Sequence, residues 1–417
     1  MKSPAGVPAG GKAAASAGQR ESQYGRDSRG AEFVIVGGGG YGCAVACHLA
    51  AAGRSVELLE AGALAQQASG GRGKRGVRGN RRDLRELALM REAYEIWPGL
   101  AEELGVDTGY VRTGGLTLIE EDVVGMSGGL VAAQAHARAQ SARGVPTEVW
   151  DAGRIRSELP GVSERIKAGL HAPLDGVASQ RATTLAYAEA ARAHGAIIRE
   201  NTPVVSLESG QGSGSRGSCP PSVTTASGER VEAAESVLLA CNAAVPGLLR
   251  EHCGVDLPAW TVYPQVVWLR AENPVELPVL LGHESRTLSV KVEDDGVIML
   301  SGGWQGRWNP AREAPDVVED QVRGNIEQLR AVFPELGGLQ RLEVDVARAE
   351  TASADQVPII DAVPGHEGVY FATGWSGHGW ALVPAASRHI ADLIAGRGRS
   401  GALMPFGLSR FGIAGTE

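Results

Sequence analysis

The stretch FVIVGGGGYGCAVACHLAAAGRSVELLE, residues 33–60, decides how this chain folds. Phe33 to Val36 are apolar and largely β-branched, the pattern of a buried strand, and the glycines that follow break it into a turn. Residues 41–52 then carry the apolar spacing of a helix, and SVELLE reads as a second strand ending in an acid. Gly37, Gly39 and Gly42 form G-x-G-x-x-G across the turn, and Glu60 falls 23 residues after Gly37. Each glycine has a separate duty: Gly37 allows the tight turn, Gly39 lets backbone N–H groups approach a pyrophosphate, and Gly42 lets helix and strand pack closely. The positive end of the helix faces the phosphates, and the Glu60 carboxylate accepts from ribose hydroxyls. The expected contacts are therefore Gly37, Gly39, Gly40, Tyr41, Gly42, Glu60 and the adjoining Ala61. NAD and FAD both suit this motif, whereas an acid at residue 60 disfavours the 2′-phosphate of NADP.

Outward from this unit, strand-like and helix-like segments alternate, as in a βαβ sheet. Residues 1–30 are rich in Ala, Gly and Ser without an apolar period and read as a disordered tail. Residues 69–82 read as a glycine- and arginine-rich loop, DLRELALMREAYEIWPGL as a helix, and YVRTGGLTLIEE as a hairpin. Alternating strands dominate in VYPQVVWLRAE, RTLSVKVED and GVIMLSGGW, followed by a helix at 317–333. The Gly/Ser stretch at 209–218 reads as a surface loop. The fold class expected is α/β, a Rossmann-type dinucleotide domain (31–112, 172–258 and 346–417) interleaved with an antiparallel-sheet substrate domain (113–171 and 259–345).

With 417 residues, 43% hydrophobic and 21% charged, the chain can bury two cores. A net charge of −8 argues against nucleic acid and for a small-molecule partner. The cysteines at 43, 47, 219, 241 and 253 form no C-x-x-C and no secreted framework, which points to reduced thiols in the cytoplasm. Neither a membrane span nor a metal site is indicated.

The second glycine cluster is GWSGHGW, residues 374–380, between strand-like VYFAT and helix-like ALVPAASRHIADLIAG. Three stretches together, VGGGGYG with LLE, HAPLDGVASQRATTLAYAEAARAHGAIIRENTPVVSLE, and DQVPIIDAVPGHEGVYFATGWSGHGWALVPAASRHIADLI, resemble the D-amino-acid oxidase-like flavoproteins that include sarcosine oxidase and glycine oxidase. The similarity runs from Phe33 to about Gly396. It implies FAD, with the C-terminal turn against the flavin ring through Gly374, Ser376, Gly377, His378, Gly379 and Trp380. It also implies an adenine contact at Val204 and a polar contact at Ser69. Unpaired helix N–H groups behind the turn would stabilise the negative charge of a reduced flavin.

The resemblance also marks departures. Arg348 stands where some sarcosine oxidases attach FAD through Cys, so non-covalent FAD is expected. Ala381 replaces a carboxylate-binding Lys, while Arg78 matches the arginine that shares this duty. Lys291 and Lys74, with Lys167, are the only substitutes in the ordered region for the lysine that activates oxygen. His378 is a further catalytic candidate whose place points to positioning. Arg75 or Arg78 could grip an anionic substrate group, and Tyr263 and Trp304 are candidate aromatic walls. The implied reaction is FAD-dependent oxidation of a C–N bond in an amine or amino acid to an imine, with oxygen as acceptor. The alternatives are a dehydrogenase of an amine or 2-hydroxy acid that passes electrons to a quinone or protein, and a non-catalytic flavin-binding subunit.

Overall fold

Phe33–Val36 lies inside a six-stranded sheet of order Ile359–Ala362, Val369–Thr373, Ser236–Leu239, Phe33–Val36, Val56–Leu59, Ile197–Arg199. Neighbours are parallel except for the antiparallel pair at the Ile359–Ala362 edge. The computed structural model describes residues 30–67, 72–126, 128–210, 219–273 and 276–413. Because both faces of the sheet are covered, its strands read as continuous apolar runs. Phe33 and Ile35 face helices Gly40–Ala51, Leu87–Ile96 and Val383–Ile394, while Val34 and Val36 face the other side, toward helix Val245–Cys253 and the sheet of Val204–Glu208, Ser222–Thr225 and Arg230–Glu232.

A second sheet has eight strands, in the order Leu339–Asp345, Val266–Ala271, Ile298–Ser301, Ser289–Val292, Leu280–His283, Gly115–Ile119, Ala168–Ala172, Glu148–Asp151. All its pairings are antiparallel except Leu280–His283 with Gly115–Ile119. Its outer face packs Val290, Ile298 and Leu300 with Val322, Leu329 and Val332 of helix Glu319–Val332. The inner face looks toward the first sheet's domain and carries Trp268, Lys291 and Met299, as the two-residue alternation of a strand requires.

The α/β reading holds, with two local corrections. Residues 69–82 are not simply a loop, because Lys74–Val77 is a strand paired antiparallel with Gly176–Ser179. This ribbon lies against the inner face of the large sheet: a Cβ on Gly76 would come 2.7 Å from Leu280 Cδ2, and one on Gly73 would come 2.9 Å from Trp268. Residues 110–121 do not form a hairpin. Gly115–Ile119 is a single strand whose partners arrive from residues 168–172 and 280–283, a long-range pairing that local alternation cannot reveal. Residues 1–29, Ser69 and most of the 209–218 stretch lie outside the described residues.

Candidate functional site

At the first turn the glycines meet steric demands that match their assigned duties. Gly37 has φ +112°, and a Cβ there would lie 2.8 Å from Ala240 O. A Cβ on Gly42 would sit 1.9 Å from Gly37 O, so no side chain fits. Gly39 is different: a Cβ would meet nothing within 4 Å. Its backbone faces open space at the N-terminus of helix Gly40–Ala51, where the N–H groups of Gly39, Gly40 and Tyr41 have no partner among the described residues. Such a cradle suits a pyrophosphate. Glu60 sits beside it, its carboxylate accepting from Gly38 N at 2.6 Å and Gly62 N at 2.9 Å, with lone pairs to spare for a ribose. Thr202 N donates to Glu60 O at 2.8 Å, which brings the strand beginning at Val204 alongside Glu60 and Ala61.

The second turn is joined directly to the first. The Tyr41 ring stacks on Trp375 with centroids 3.7 Å apart, and its hydroxyl donates to Gly379 O at 2.6 Å. A Cβ on Gly40 would touch Trp380 at 3.4 Å. Gly374 and Gly377 have φ of +72° and +83°, and Ser376 also adopts the left-handed region at +52°. Ser376 Oγ accepts from Ser353 N at 3.2 Å and holds the turn against the neighbouring strand. Two polar atoms of this turn, His378 Nδ1 and Trp380 Nε1, are buried without a hydrogen-bond partner among the described residues. Orphaned buried groups beside the open cradle are what a flavin, with its ring of donors and acceptors, would satisfy. FAD therefore fits the residues present. Burial, together with Arg82 and Arg78 nearby, pushes the His378 imidazole down to about 3. It is therefore neutral near pH 7 and available to donate or accept a hydrogen bond.

The ribbon delivers the cations. The Arg78 guanidinium has no hydrogen bond or ion pair among the described residues, and burial lowers its pKa. The Arg78 charge is near enough to help lower His378. Arg75 reaches the inner sheet face, where Nη1 meets Met299 Sδ at 3.2 Å and Nε is buried without a partner. Burial drops it to about 10. Lys74 is tied to Asp294 at 3.0 Å, and Lys291 to Glu293, with burial pulling Lys291 down to about 8. Both amines line a small cavity with Val111, Val177, Leu277 and Leu280, and each is held there by an acid.

The aromatic candidates make contacts of their own. Trp304 packs on Gly324 of helix Glu319–Val332, on the outer side of the sheet, and donates its Nε1 hydrogen to Thr287 O at 2.8 Å. Tyr263 stacks on Trp308 at 5.6 Å. Neither is brought beside Arg75 or Arg78 by any contact among the described residues.

Sequence reasoning missed Arg82 and Asp175. Arg82 donates to His378 O at 2.8 Å and pairs with buried Glu86 at 2.5 Å, so it props the second turn from behind. It was hidden inside the run RGKRGVRGNRR, where no local pattern separates one arginine from another. Asp175, in the turn LDG, is wholly buried beneath Arg78 to Asn80.

The interleaved sheets, the pyrophosphate cradle and the second turn facing it define a flavin-dependent oxidoreductase. The chain belongs to the family described as FAD dependent oxidoreductase (DAO), which it matches over residues 32–393. It is 27% identical to glycine oxidase of Pseudomonas aeruginosa over 372 residues, covering 87% of this chain and 94% of that one. A shorter stretch of 83 residues, 20% of this chain, is 41% identical to N-methyl-L-tryptophan oxidase of Salmonella typhi and covers 22% of that protein. The fold matches the solved structures of glycine oxidase from Geobacillus kaustophilus (TM-score 0.76, 22% identity, 91% of this chain and 98% of that one) and L-proline dehydrogenase from P. horikoshii (TM-score 0.78, 22% identity, 92% and 98%). Among the described residues no helix is long and apolar enough to cross a membrane, and no cluster of His, Cys, Asp and Glu could hold a metal.

Proposed function

We propose that this enzyme oxidises a C–N bond of a small amine or amino acid bearing a carboxylate, giving the imine, with non-covalently held FAD. Bound FAD supplies the hydride acceptor for the carbon next to nitrogen. The observation that carries the reading is Arg78, a partly buried guanidinium without a hydrogen bond or ion pair among the described residues, whose charge is felt at His378 of the second turn. An unpaired buried cation is costly, and a substrate carboxylate would repay it. Arg75, three residues earlier on the same ribbon, has a buried Nε without a partner among the described residues and is a further candidate donor. The names of the relatives, oxidases and a dehydrogenase of glycine, N-methyl-L-tryptophan and L-proline, support a substrate of this class.

In this scheme Gly39, Gly40 and Tyr41 bind the pyrophosphate, Glu60 the ribose, and residues 374–380 the ring. The positive end of helix Val383–Ile394 favours negative charge there. Neutral His378 takes a hydrogen bond without moving a proton. Arg348 stands at the position where a covalent link is made in similar oxidases, and its Nη1 is bound to Asp345 at 2.6 Å, which supports non-covalent FAD. Residues 31–112, 172–258 and 346–417 serve FAD, while 113–171 and 259–345 serve the substrate. The five cysteines are all unpaired, in keeping with a cytoplasmic enzyme.

Oxygen is the acceptor in the first reading. A second reading, a dehydrogenase that passes electrons to a quinone or protein, is favoured by the acids that occupy Lys74 and Lys291. One experiment tests both. The flavin spectrum of the purified protein is recorded under nitrogen against primary, secondary and cyclic amines and 2-hydroxy acids, then after air is admitted. Bleaching by an amine with rapid recovery in air supports the oxidase, and persistent bleaching supports the dehydrogenase. Bleaching by hydroxy acids alone, or by nothing, refutes the amine reading.

A further inference from the structure

Directly behind Arg78 lies a buried acid that no step above uses. Asp175 is 0% exposed, in the turn between strands Ala168–Ala172 and Gly176–Ser179. Its Oδ1 accepts from Gly79 N at 2.7 Å and from the Tyr94 hydroxyl, and Asn80 N approaches Oδ2 at 3.4 Å. These two peptide groups immediately follow Arg78 in the chain. The surrounding backbone makes room for the acid: a Cβ on Gly115 would lie 2.2 Å from Oδ2. Among the described residues Asp175 is also the acid that acts on the Arg78 charge, against the like charge of Arg82.

We propose that Asp175, clamped by the Tyr94 hydroxyl, is the positioning residue that presents the Arg78 guanidinium to a carboxylate and sets the net charge that this carboxylate meets. The inference rests on the reading of Arg78 as the carboxylate contact. A buried carboxylate partly cancels the field of the arginine before it. Burial raises Asp175 to about 6, against the lowering effect of Tyr94, Gly79, Arg78 and Asn80. The charge therefore disappears as the pH falls through about 6, and the anion site becomes more positive. The titratable and charged groups around Asp175 are Tyr94 from helix Leu87–Ile96 and Arg78 and Arg82 from the loop, with Glu86 neutralising Arg82. Strand Gly115–Ile119 presents glycine at the contact, and burial holds the neighbouring His171 below its ordinary value.

The test uses the FAD-loaded enzyme with acetate and its uncharged counterpart acetamide as probes, read by perturbation of the visible flavin spectrum. Asn in D175N can still accept from Gly79 N, so the variant removes charge and keeps shape. At pH 7.5 D175N is expected to bind acetate on the order of tenfold more tightly than wild type, the scale for one lost charge at an effective dielectric near 20. Acetamide binding should be unchanged. Wild-type affinity for acetate should rise as pH falls through about 6, with D175N flat over that window. Tyr94→Phe, which removes a donor to the carboxylate, should move the step to higher pH, and it serves as the test should D175N not fold. R78M should lose acetate binding in every background. Equal acetate affinity in D175N and wild type, or a step that Y94F leaves unmoved, overturns the role of Asp175 while R78M still reports on Arg78. Wild-type acetate binding by R78M overturns the Arg78 reading itself, and this inference with it.

Discussion

Gly39→Ala separates the cofactor reading from ordinary turn packing. The backbone at Gly39 has φ −80° and ψ −175°, which alanine adopts without strain, and the added methyl meets nothing within 4 Å. Replacing an N-cap glycine by alanine therefore costs the apoprotein no more than about 1 kcal/mol. If a pyrophosphate seats against this backbone, the same methyl stands in its path. Inserting a methyl into a packed contact costs roughly 1–3 kcal/mol, which corresponds to FAD affinity weaker by about 5- to 150-fold. The assay is FAD titration of stripped apoprotein by fluorescence quenching, with thermal unfolding of the same samples. Unchanged FAD affinity in G39A would refute the placement of the pyrophosphate at this helix end. Gly42→Ala is the control: a Cβ 1.9 Å from Gly37 O cannot be accommodated, so the apoprotein itself should be severely destabilised.

Tyr41→Phe removes the bond to Gly379 O and should lower apoprotein stability by about 1 kcal/mol, more if the buried carbonyl finds no water, as read by urea unfolding. Arg82→Met leaves Glu86 buried, at 1% side-chain exposure, without its partner; the expected loss is about 3–5 kcal/mol, and the double variant R82M/E86M should recover much of it. Asp355 is raised by burial, but Arg410 and Arg85 overcome this and hold it at about 2. A lowered carboxylate contributes stability above its unfolded value, and that contribution is lost as pH falls from about 4 through about 2. Denaturant midpoints measured from pH 5 to 2 should therefore show an acid-side decline that is shallower in D355N.

The first βαβ unit was legible because its information is local. A β-branched run, three glycines with distinct steric duties and a terminal acid lie within residues 33–60, and the contacts that enforce them, Gly42 on Gly37 and Glu60 on Gly38, are equally close. The second turn could be recognised from GWSGHGW and its flanking strand and helix, again within a short window. What the sequence did not disclose depends on partners more than a hundred residues away. Strand Gly115–Ile119 pairs with residues 280–283, and the Tyr41 hydroxyl crosses 338 positions to Gly379. Trp304 was drawn to the site by its aromatic character, yet the side of the sheet it occupies is set by packing on Gly324. The arginines between 72 and 82 show the same division. Composition marked the run as an anion site, but only tertiary packing assigns Arg82 to His378 O, ties Lys74 to Asp294, and leaves Arg78 unpaired above Asp175. Propensity and motif act over a few residues of chain, whereas charge pairing and burial are settled by whatever the fold brings within a few ångströms.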